Sequence, residues 1–422
     1  MPISKRNNYL ILLVYLSIIL GFIINEDTLG GAFADYNTLD HVAFKFYDNF
    51  IKTLLNYDDL NHRQSPIFYI FKSFFLDFNE NLQRLIFLHI FLLIPFIFYK
   101  CLKLKFKSIN KNNLKLIACL IILFPTFRSY SIWPDPHLMG TLFFLLAIYY
   151  YLKFLEKNND FKFVILNTLY LSLSAYFSPN FGVFVIFFIY EFNKHLNFSI
   201  KFITILFLNL ILSLPFFYYL FILNVDFIFS NSNWDIGQNF YSFNNFSNKI
   251  IIVSSLIFFY IIPFYTAIKI NLIYKFLFKN KIYYICSIIV FILTCYYFDF
   301  ESVYKLTNSG GGFFYNLSNL IFGNNFLLFT ICFFITLYLT KIFKENLKNL
   351  ILFFVLLFSN PQLTLWQANY SPTIFILLYL IFDLQLDENK INKKFIIFQY
   401  LFFLKYLIAN YIYKYDINNL TI

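Results

Sequence analysis

A carboxylate behind a glycine turn is the first group in this sequence that could do chemistry. Residues 30–34 read Gly-Gly-Ala-Phe-Ala and lead directly into Asp35. Small residues let the backbone bring such an Asp close to a ligand, where an ionised carboxylate can act as a general base. The alternative is a solvated carboxylate that caps the following helix, because Asp is a preferred N-cap residue.

A second group of ionisable residues falls in one short segment, 128–137. It contains Arg128, Asp135 and His137, with Pro134 and Pro136 fixing the backbone on either side of the Asp. Ionisable groups at membrane depth are costly, so they indicate function by default, and the guanidinium fork of Arg suits phosphate. The alternative is that Arg128 and Asp135 pair with each other and orient two helix ends.

His62 is a third candidate. It stands four residues before Pro66, and Pro is suited to the first turn of a helix. This His could orient a phosphate or a carboxylate. The alternative is a structural role at the start of that helix.

The composition predicts that membrane-spanning helices position these groups. Hydrophobic residues make up 60% of the chain, charged residues 13%, and the mean hydropathy is +0.65. Because a helix needs about 20 apolar residues to cross a bilayer, we predict an all-α, polytopic transmembrane helical bundle of about 11–13 spans. The candidate spans are 9–24, 85–99, 114–127, 138–154, 163–177, 181–192, 200–223, 250–268, 283–298, 320–340, 347–358, 373–383 and 395–409.

The distribution of charge predicts the orientation. With a cytoplasmic N-terminus, most of the 33 Lys and Arg residues fall on the cytoplasmic side, as the positive-inside rule requires. The net charge of +11 therefore indicates topology rather than binding to nucleic acid. Acidic residues concentrate in the first external loop, 25–84, whose segments 39–55 and 66–78 have the periodicity of amphipathic helices at the membrane surface. The small residues at 32–34 resemble a signal-peptide cleavage site, but we favour an uncleaved first span.

The order of these features over residues 1–155 resembles the GT-C superfamily, which comprises polytopic glycosyltransferases that use polyprenyl-phosphate sugars. It includes the protein mannosyltransferase and lipid A aminoarabinose transferase branches. The resemblance implies sugar transfer, with inversion, to a glycan, lipid or protein acceptor on the external face. External loops 25–84 and 128–137 belong to this part, and residues 156–422 add further transmembrane helices to a single integral membrane domain, 1–422. The simplest location is a bacterial inner membrane, with the active face in the periplasm among membrane lipids.

The resemblance also implies roles for individual residues. Asp35 matches the acid that serves as base or activates the acceptor, and Asp135 matches the acid near the donor phosphate or its metal, Mg²⁺ or Mn²⁺, for which both carboxylates are candidate ligands. Arg128 and His62 are expected at the donor phosphate, with His137 in support. Where the family has a second acid after the first, this chain has Tyr36, which leaves open whether Glu26 or Asp27 shares the role and whether a divalent metal is needed.

Two other classes of function stay open at this point. A transporter or flippase of a lipid-linked saccharide predicts ionisable residues near mid-span and an internal repeat, but only His89 and Lys405 qualify and no repeat is evident. A non-catalytic membrane subunit predicts that Asp35, Asp135 and Arg128 do not converge in one cavity. The five cysteines show neither a metal-binding nor a disulfide pattern.

Overall fold

A computed structural model describes residues 3–60, 65–157, 159–218, 221, 243–268, 280–301, 310–360 and 365–420. Within these ranges the chain is helical, apart from turns and one isolated bridge between Ile268 and Leu386. The predicted all-α class is therefore confirmed. The chain divides into two compact units, Met1–Ser230 with Tyr400–Ile422, and Asn231–Gln399.

The first unit carries all the residues that the sequence singles out. Its first twelve helices are α1 Ile3–Ile23, α2 Ala32–Asp48, α3 Phe50–Leu55, α4 Ile67–Ser73, α5 Glu80–Phe91, α6 Leu93–Lys105, α7 Lys111–Cys119, α8 Pro125–Ile132, α9 Pro136–Glu156, α10 Phe161–Phe177, α11 Phe184–Leu196 and α12 Ile200–Phe217. The predicted loop helices in 39–55 and 66–78 correspond to α2 with α3, and to α4.

Six helical stretches in the described part of the chain are long and apolar enough to cross a membrane. They are Glu80–Lys105, Pro136–Glu156, Ile200–Phe217, Asn244–Phe264, Phe326–Glu345 and Lys393–Ile412. A seventh candidate is the pair Lys111–Leu123 and Pro125–Ile132, which bends by 68°. Proline at the start of the second member removes a backbone donor and allows that bend. These helices are compatible with an integral membrane protein, while the predicted count of about 11–13 spans stays a prediction.

Helix α9 lies at the centre of the first unit and is held by polar bonds between helices. The Nδ2 of Asn167 donates to the Ala147 carbonyl at 2.7 Å, and the hydroxyl of Ser174 donates to the Gly140 carbonyl at the same distance. A Cβ on Gly140 would lie 2.7 Å from the Cβ of Ser178, so only glycine permits this approach. Small residues and interhelical hydrogen bonds are typical of helix packing in membranes. They fix the start of α9, where Asp135 lies.

Helix α2 packs one face against α4 and exposes the other. Its buried face consists of Ala32, Tyr36, Leu39, Val42, Ala43 and Phe46. On the opposite side Phe33, Phe44 and Tyr47 are about half exposed. This division matches the predicted amphipathic character, and it places Asp35 on the accessible side of a helix that is anchored by the residue next to it.

The second unit is also helical in its described part. It contains α13 Phe243–Ile261, α14 Lys281–Tyr296, α15 Gly312–Phe322, α16 Phe326–Glu345, α17 Leu347–Ser359 and α18 Thr373–Leu380. A last helix, α19 Lys393–Leu420, begins in this unit. The turn before α15 has positive φ at Gly310, Gly311 and Gly312. A Cβ on Gly311 would overlap the ring of Tyr315, so this turn requires glycine.

Candidate active site

Asp27 shapes the glycine turn that precedes Asp35. Its Oδ1 accepts a hydrogen bond from the Gly30 amide at 2.8 Å, and its Oδ2 accepts one from the Phe33 amide at 3.2 Å. The φ of Gly30 is 73°, a conformation in which glycine is favoured. Asp27 thus holds the first turn of α2 in place. Its predicted role as an acid that supports Asp35 stays a prediction.

Asp35 lies in the first turn of α2 with an exposed side chain. Although water can reach it, surrounding protein still raises the pKa of its carboxyl above the ordinary value, and the nearby charge of Asp27 raises it further. Its carboxylate makes no hydrogen bond to the part of the chain that the structure describes. It is therefore an accessible carboxylate that a substrate hydroxyl could meet.

Asp135 is the buried counterpart, and it caps α9. Its Oδ1 accepts from the His137 amide at 2.7 Å, and Pro136 occupies the first helical position. Burial raises the pKa of the Asp135 carboxyl to about 7, although the amide bond acts in the opposite direction and the charge of Asp35 adds to the rise. At neutral pH this carboxyl therefore exists in both protonation states.

Asp35 and Asp135 come from two different loops and interact electrostatically. They are close enough for the charge of Asp35 to affect the ionisation of Asp135. Burial, and then the charge of Asp135, raise the pKa of the Tyr69 hydroxyl. The Tyr130 ring faces His137, with ring centroids 6.5 Å apart. Of the two carboxylates that the sequence paired by resemblance, one is thus accessible and the other buried, and their shared role in a reaction stays a prediction.

His137 supports the start of α9. Its ring stacks on Phe181 with centroids 5.5 Å apart, and its Nδ1 lies 3.5 Å from the Ser178 hydroxyl. Its backbone amide is the donor to Asp135. His137 thus contributes its backbone to the cap of α9, and its predicted support at the donor phosphate stays a prediction. His62 lies outside the described residues, so its predicted contact with donor phosphate stays a prediction.

Arg128 is engaged by Glu26. Its Nε and Nη2 donate to the two carboxylate oxygens at 2.6 and 2.5 Å, while Nη1 and Nη2 also reach the hydroxyl and carbonyl of Ser17 at 3.0 and 2.8 Å. Both charged side chains are buried. The alternative in which Arg128 pairs with Asp135 is therefore wrong, because Glu26 takes up the guanidinium. Contact between Arg128 and the donor phosphate stays a prediction. In such a contact, the guanidinium N–H groups that bond to Glu26 and Ser17 would also have to donate to the phosphate.

Arg84 is a buried arginine that the sequence did not single out. Its Nε donates to the Ile132 carbonyl at 3.0 Å, and its Nη2 donates to the Asn25 side chain at 2.8 Å. These two partners precede Trp133-Pro134-Asp135 and Glu26-Asp27 in the chain. Arg84 thus ties together the two loops that carry the candidate acids. The only sequence signal was a lone Arg at the external end of an apolar run.

Lys72 was also missed. It is fully buried in α4, and its Nζ lies 2.8 Å from Asp40 Oδ1 in α2. Burial lowers the pKa of its ammonium to about 8, although Asp40 acts in the opposite direction. A lysine inside an otherwise apolar-patterned helix was the available signal. The ion pair joins the two loop helices beside Asp35.

A metal site is only partly supplied by these residues. In the described ranges no group of three or more His, Cys, Asp or Glu side chains could hold a metal ion. Asp35 and Asp135 would offer two carboxylates, fewer than the six or so oxygen ligands that Mg²⁺ and Mn²⁺ prefer. The predicted divalent metal stays a prediction, and no step of the reaction proposed for this site depends on it.

Comparisons with protein-family models, with curated proteins and with solved structures find no match to this chain. The class of protein is therefore defined by fold and site alone. In its described part the chain is all-helical and has several long apolar helices, and its first unit carries an accessible carboxylate and a buried one that interact electrostatically.

Proposed function

We propose that this protein is a membrane glycosyltransferase of the GT-C type. It moves a sugar from a polyprenyl-phosphate donor to a hydroxyl of a glycan, lipid or protein acceptor. In this proposal the protein is integral to a bacterial inner membrane with its N-terminus in the cytoplasm. The site then opens to the periplasm, because loops 25–84 and 128–137 lie on the side that is poor in Lys and Arg.

The observation that carries this proposal is the unequal pair of carboxylates. Asp35 is exposed and carries no hydrogen bond from the described residues, whereas Asp135 is buried and has a pKa of about 7. Neighbouring acids whose environments differ in this way often divide acid and base roles between them. Sugar transfer needs one group that accepts a proton and one that stabilises a departing phosphate.

Asp35 is the base in this mechanism. As the acceptor oxygen forms a bond to the anomeric carbon, its proton passes to the Asp35 carboxylate. The bond between the anomeric carbon and the phosphate oxygen breaks at the same time, and its electron pair leaves with the polyprenyl phosphate. Attack on the face opposite to the leaving group inverts the anomeric configuration.

Asp135 serves the phosphate in its neutral form. A protonated carboxyl can donate a hydrogen bond to a phosphate oxygen, and a buried donor contributes more there than in water because the local dielectric is low. Burial keeps this carboxyl neutral in part of the population at pH 7. The ionised form would repel the phosphate.

The test is sugar transfer in membranes from a radiolabelled polyprenyl-phosphate donor pool. We expect Asp35→Asn to lower transfer by about 100-fold or more, because a general base typically contributes 10²–10⁴-fold. Asp135→Asn should retain partial activity at pH 7, because the amide can still donate to the phosphate. The matched control is Asp48→Asn, which changes an exposed carboxylate at the far end of the same helix α2.

Expression and thermal unfolding of each variant must match those of the unaltered chain. Transfer at the unaltered rate by Asp35→Asn would contradict the assignment of the base. The absence of transfer by the unaltered chain across several donors would contradict the proposed function and favour the transporter or the non-catalytic subunit.

A further inference from the structure

We propose that four side chains in consecutive contact, Lys72, Tyr36, Trp133 and Arg84, form a ladder that positions Asp35 and Asp135 relative to each other. The inference rests on the proposed function, since it assigns these side chains a role in that reaction. They are positioning residues: two of them adjoin the carboxylates in the chain, and none is placed in contact with substrate.

The ladder alternates cations and rings. Lys72 Nζ lies 3.7 Å from the centroid of the Tyr36 ring, the Tyr36 and Trp133 rings are 5.6 Å apart, and Arg84 Cζ lies 3.5 Å from the Trp133 ring. All four side chains are buried, with at most 5% of any residue exposed. Contacts between cations and rings are stronger when they are desolvated, so both ends of the ladder are held firmly.

The two central rungs are next to the two acids. Tyr36 follows Asp35 directly in α2, and Trp133 lies two residues before Asp135, separated from it by Pro134. The proline restricts the intervening backbone. The contact between the rings therefore sets the distance between the two carboxylates, although neither ring has to touch them.

The charges at the ends are compensated by other groups. Lys72 is paired with Asp40, while Arg84 is bonded to Asn25 and to the Ile132 carbonyl and lies 3.7 Å from Glu80. The ends therefore anchor the ladder to α4 and α5. Their influence on the acids is positional, since each cation has its own acid or acceptor partners.

Packing holds the Tyr36 and Trp133 rings where they are, with the two ring planes tilted by 55°. Tyr36 Oη and Trp133 Nε1 are buried and make no hydrogen bond to any part of the chain that the structure describes. An unpaired buried polar group destabilises the folded state. Removal of the Tyr36 hydroxyl should thus be harmless, whereas removal of its ring should break the ladder. One variant of Tyr36 that lacks only the hydroxyl and one that lacks the ring therefore distinguish the two effects.

The experiment compares Tyr36→Phe, which keeps the ring, with Tyr36→Leu, which loses it. We expect Tyr36→Phe to resemble the unaltered chain and Tyr36→Leu to lose ~10-fold to 100-fold of transfer, because misplaced catalytic groups cost about that much. Lys72→Met tests the outer rung in α4, and its control is Lys45→Met, which changes an exposed lysine of the neighbouring helix α2.

The pH profile separates positioning from general damage. The groups facing Asp135 are Asp35 from α2, Tyr69 from α4, Tyr130 from α8 and the His137 amide. When the ladder is broken, water reaches Asp135 and Asp35 moves away, so the pKa of the Asp135 carboxyl should fall. The pH above which transfer declines should then be lower by roughly half a unit or more. Tyr36→Phe should leave that limb in place.

A readout that does not depend on transfer is the fluorescence of Trp133. The chain has three tryptophans, so Trp234→Phe with Trp366→Phe leaves Trp133 as the single reporter. We expect acrylamide quenching to increase in Tyr36→Leu and not in Tyr36→Phe. Equal pH profiles and equal quenching in these two variants would overturn the ladder. If the unaltered chain transfers no sugar, the proposed function fails, and the quenching result still decides whether the ladder holds Trp133.

Discussion

Arg128 and Glu26 form a two-bond ion pair, although 102 residues separate them in the chain. The pair joins α8 to the segment just after α1, immediately before Asp27. Both side chains are about 95% buried, so neither charge is well hydrated. A pair of this kind constrains the loop that carries the candidate base, and it leads to the first two predictions.

We expect Glu26→Gln to destabilise the first unit by about 3–5 kcal/mol, because it leaves the Arg128 charge buried without a countercharge. Thermal unfolding in detergent measures this loss. The control is Glu156→Gln, whose partners Lys107 and Lys153 lie nearer the surface, and which should cost at most about 1 kcal/mol. Equal unfolding temperatures for the two variants would contradict the assigned importance of the buried pair.

Gly21→Ala tests the same pair by steric means. A Cβ at Gly21 would overlap Glu26 Oε2 and lie 2.8 Å from Arg128 Nη2, so the ion pair would have to shift. We expect a loss of about 1–3 kcal/mol in unfolding free energy. Gly31→Ala is the matched control, since a Cβ there would meet no other atom within 4 Å and the φ of Gly31 is −148°. A well-tolerated Gly21→Ala would argue against a tightly packed pair.

The stability of the protein should depend on pH through Asp135. Its pKa is about 7 in the folded chain and 3.8 as the ordinary value, so between about pH 4 and 7 the folded state holds a proton that the unfolded state releases. Stability should therefore fall as pH rises through this window, by at most about 1.4 kcal/mol per unit, and the contribution is lost above pH 7. Thermal unfolding of Asp135→Asn from pH 4 to 8 should show a weaker dependence. An unchanged dependence would point to other groups.

Transfer should follow a bell-shaped pH profile. The acid limb reports ionisation of the Asp35 carboxyl, whose pKa is raised by burial and by Asp27, and the alkaline limb reports loss of the Asp135 proton near pH 7. Asp135→Asn cannot lose that proton, so its alkaline limb should disappear while the acid limb remains. Initial rates between about pH 4 and 9 measure both limbs. An alkaline limb that persists in Asp135→Asn would exclude Asp135 as its source.

The exposed apolar residues of the loop helices should contact lipid. Ile51 is 62% exposed and Phe44 is 45% exposed, on α3 and α2 respectively. In the chain with Trp133 as its single tryptophan, we expect Ile51→Trp to add fluorescence that brominated lipids quench. Asn37→Trp, at an exposed polar position of α2, should add fluorescence that is quenched less. Equal quenching of the two would contradict an interfacial orientation of these helices.

The helical class and the loop helices could be predicted because they depend on composition and on periodicity within short stretches. The number of spans could not be predicted as reliably. The segment 114–127 reads as one apolar run, yet the structure interrupts it near Phe124 and bends by 68° between Leu123 and Pro125. Hydropathy averages over such a bend, because side chains on both sides of the break remain apolar.

The site was predictable in part for a similar reason. Asp35 stands out in the sequence because it follows the flexible pair Gly30 and Gly31, and Asp135 stands out because it follows Pro134, which restricts the backbone. The partner of Arg128 could not be identified, because Glu26 is distant in sequence and is one of several acids in a long loop. Lys72 and Arg84 were missed because their burial follows from tertiary packing, and an isolated cation in an apolar segment has no characteristic spacing.

The glycine turn before α15 also constrains the gene. Every glycine codon begins with two guanines, whereas a chain with 64 Phe and 34 Tyr residues but only 10 Gly residues indicates an AT-rich coding sequence. Gly310, Gly311 and Gly312 all have positive φ, and added side-chain atoms at the last two would overlap Tyr315 and meet Leu256 at 2.6 Å. Base-composition drift towards Asn, Lys or Ser codons would therefore meet steric selection at these three codons. Backbone geometry therefore fixes the first two bases of each of these codons as guanine, while the third base remains free to drift.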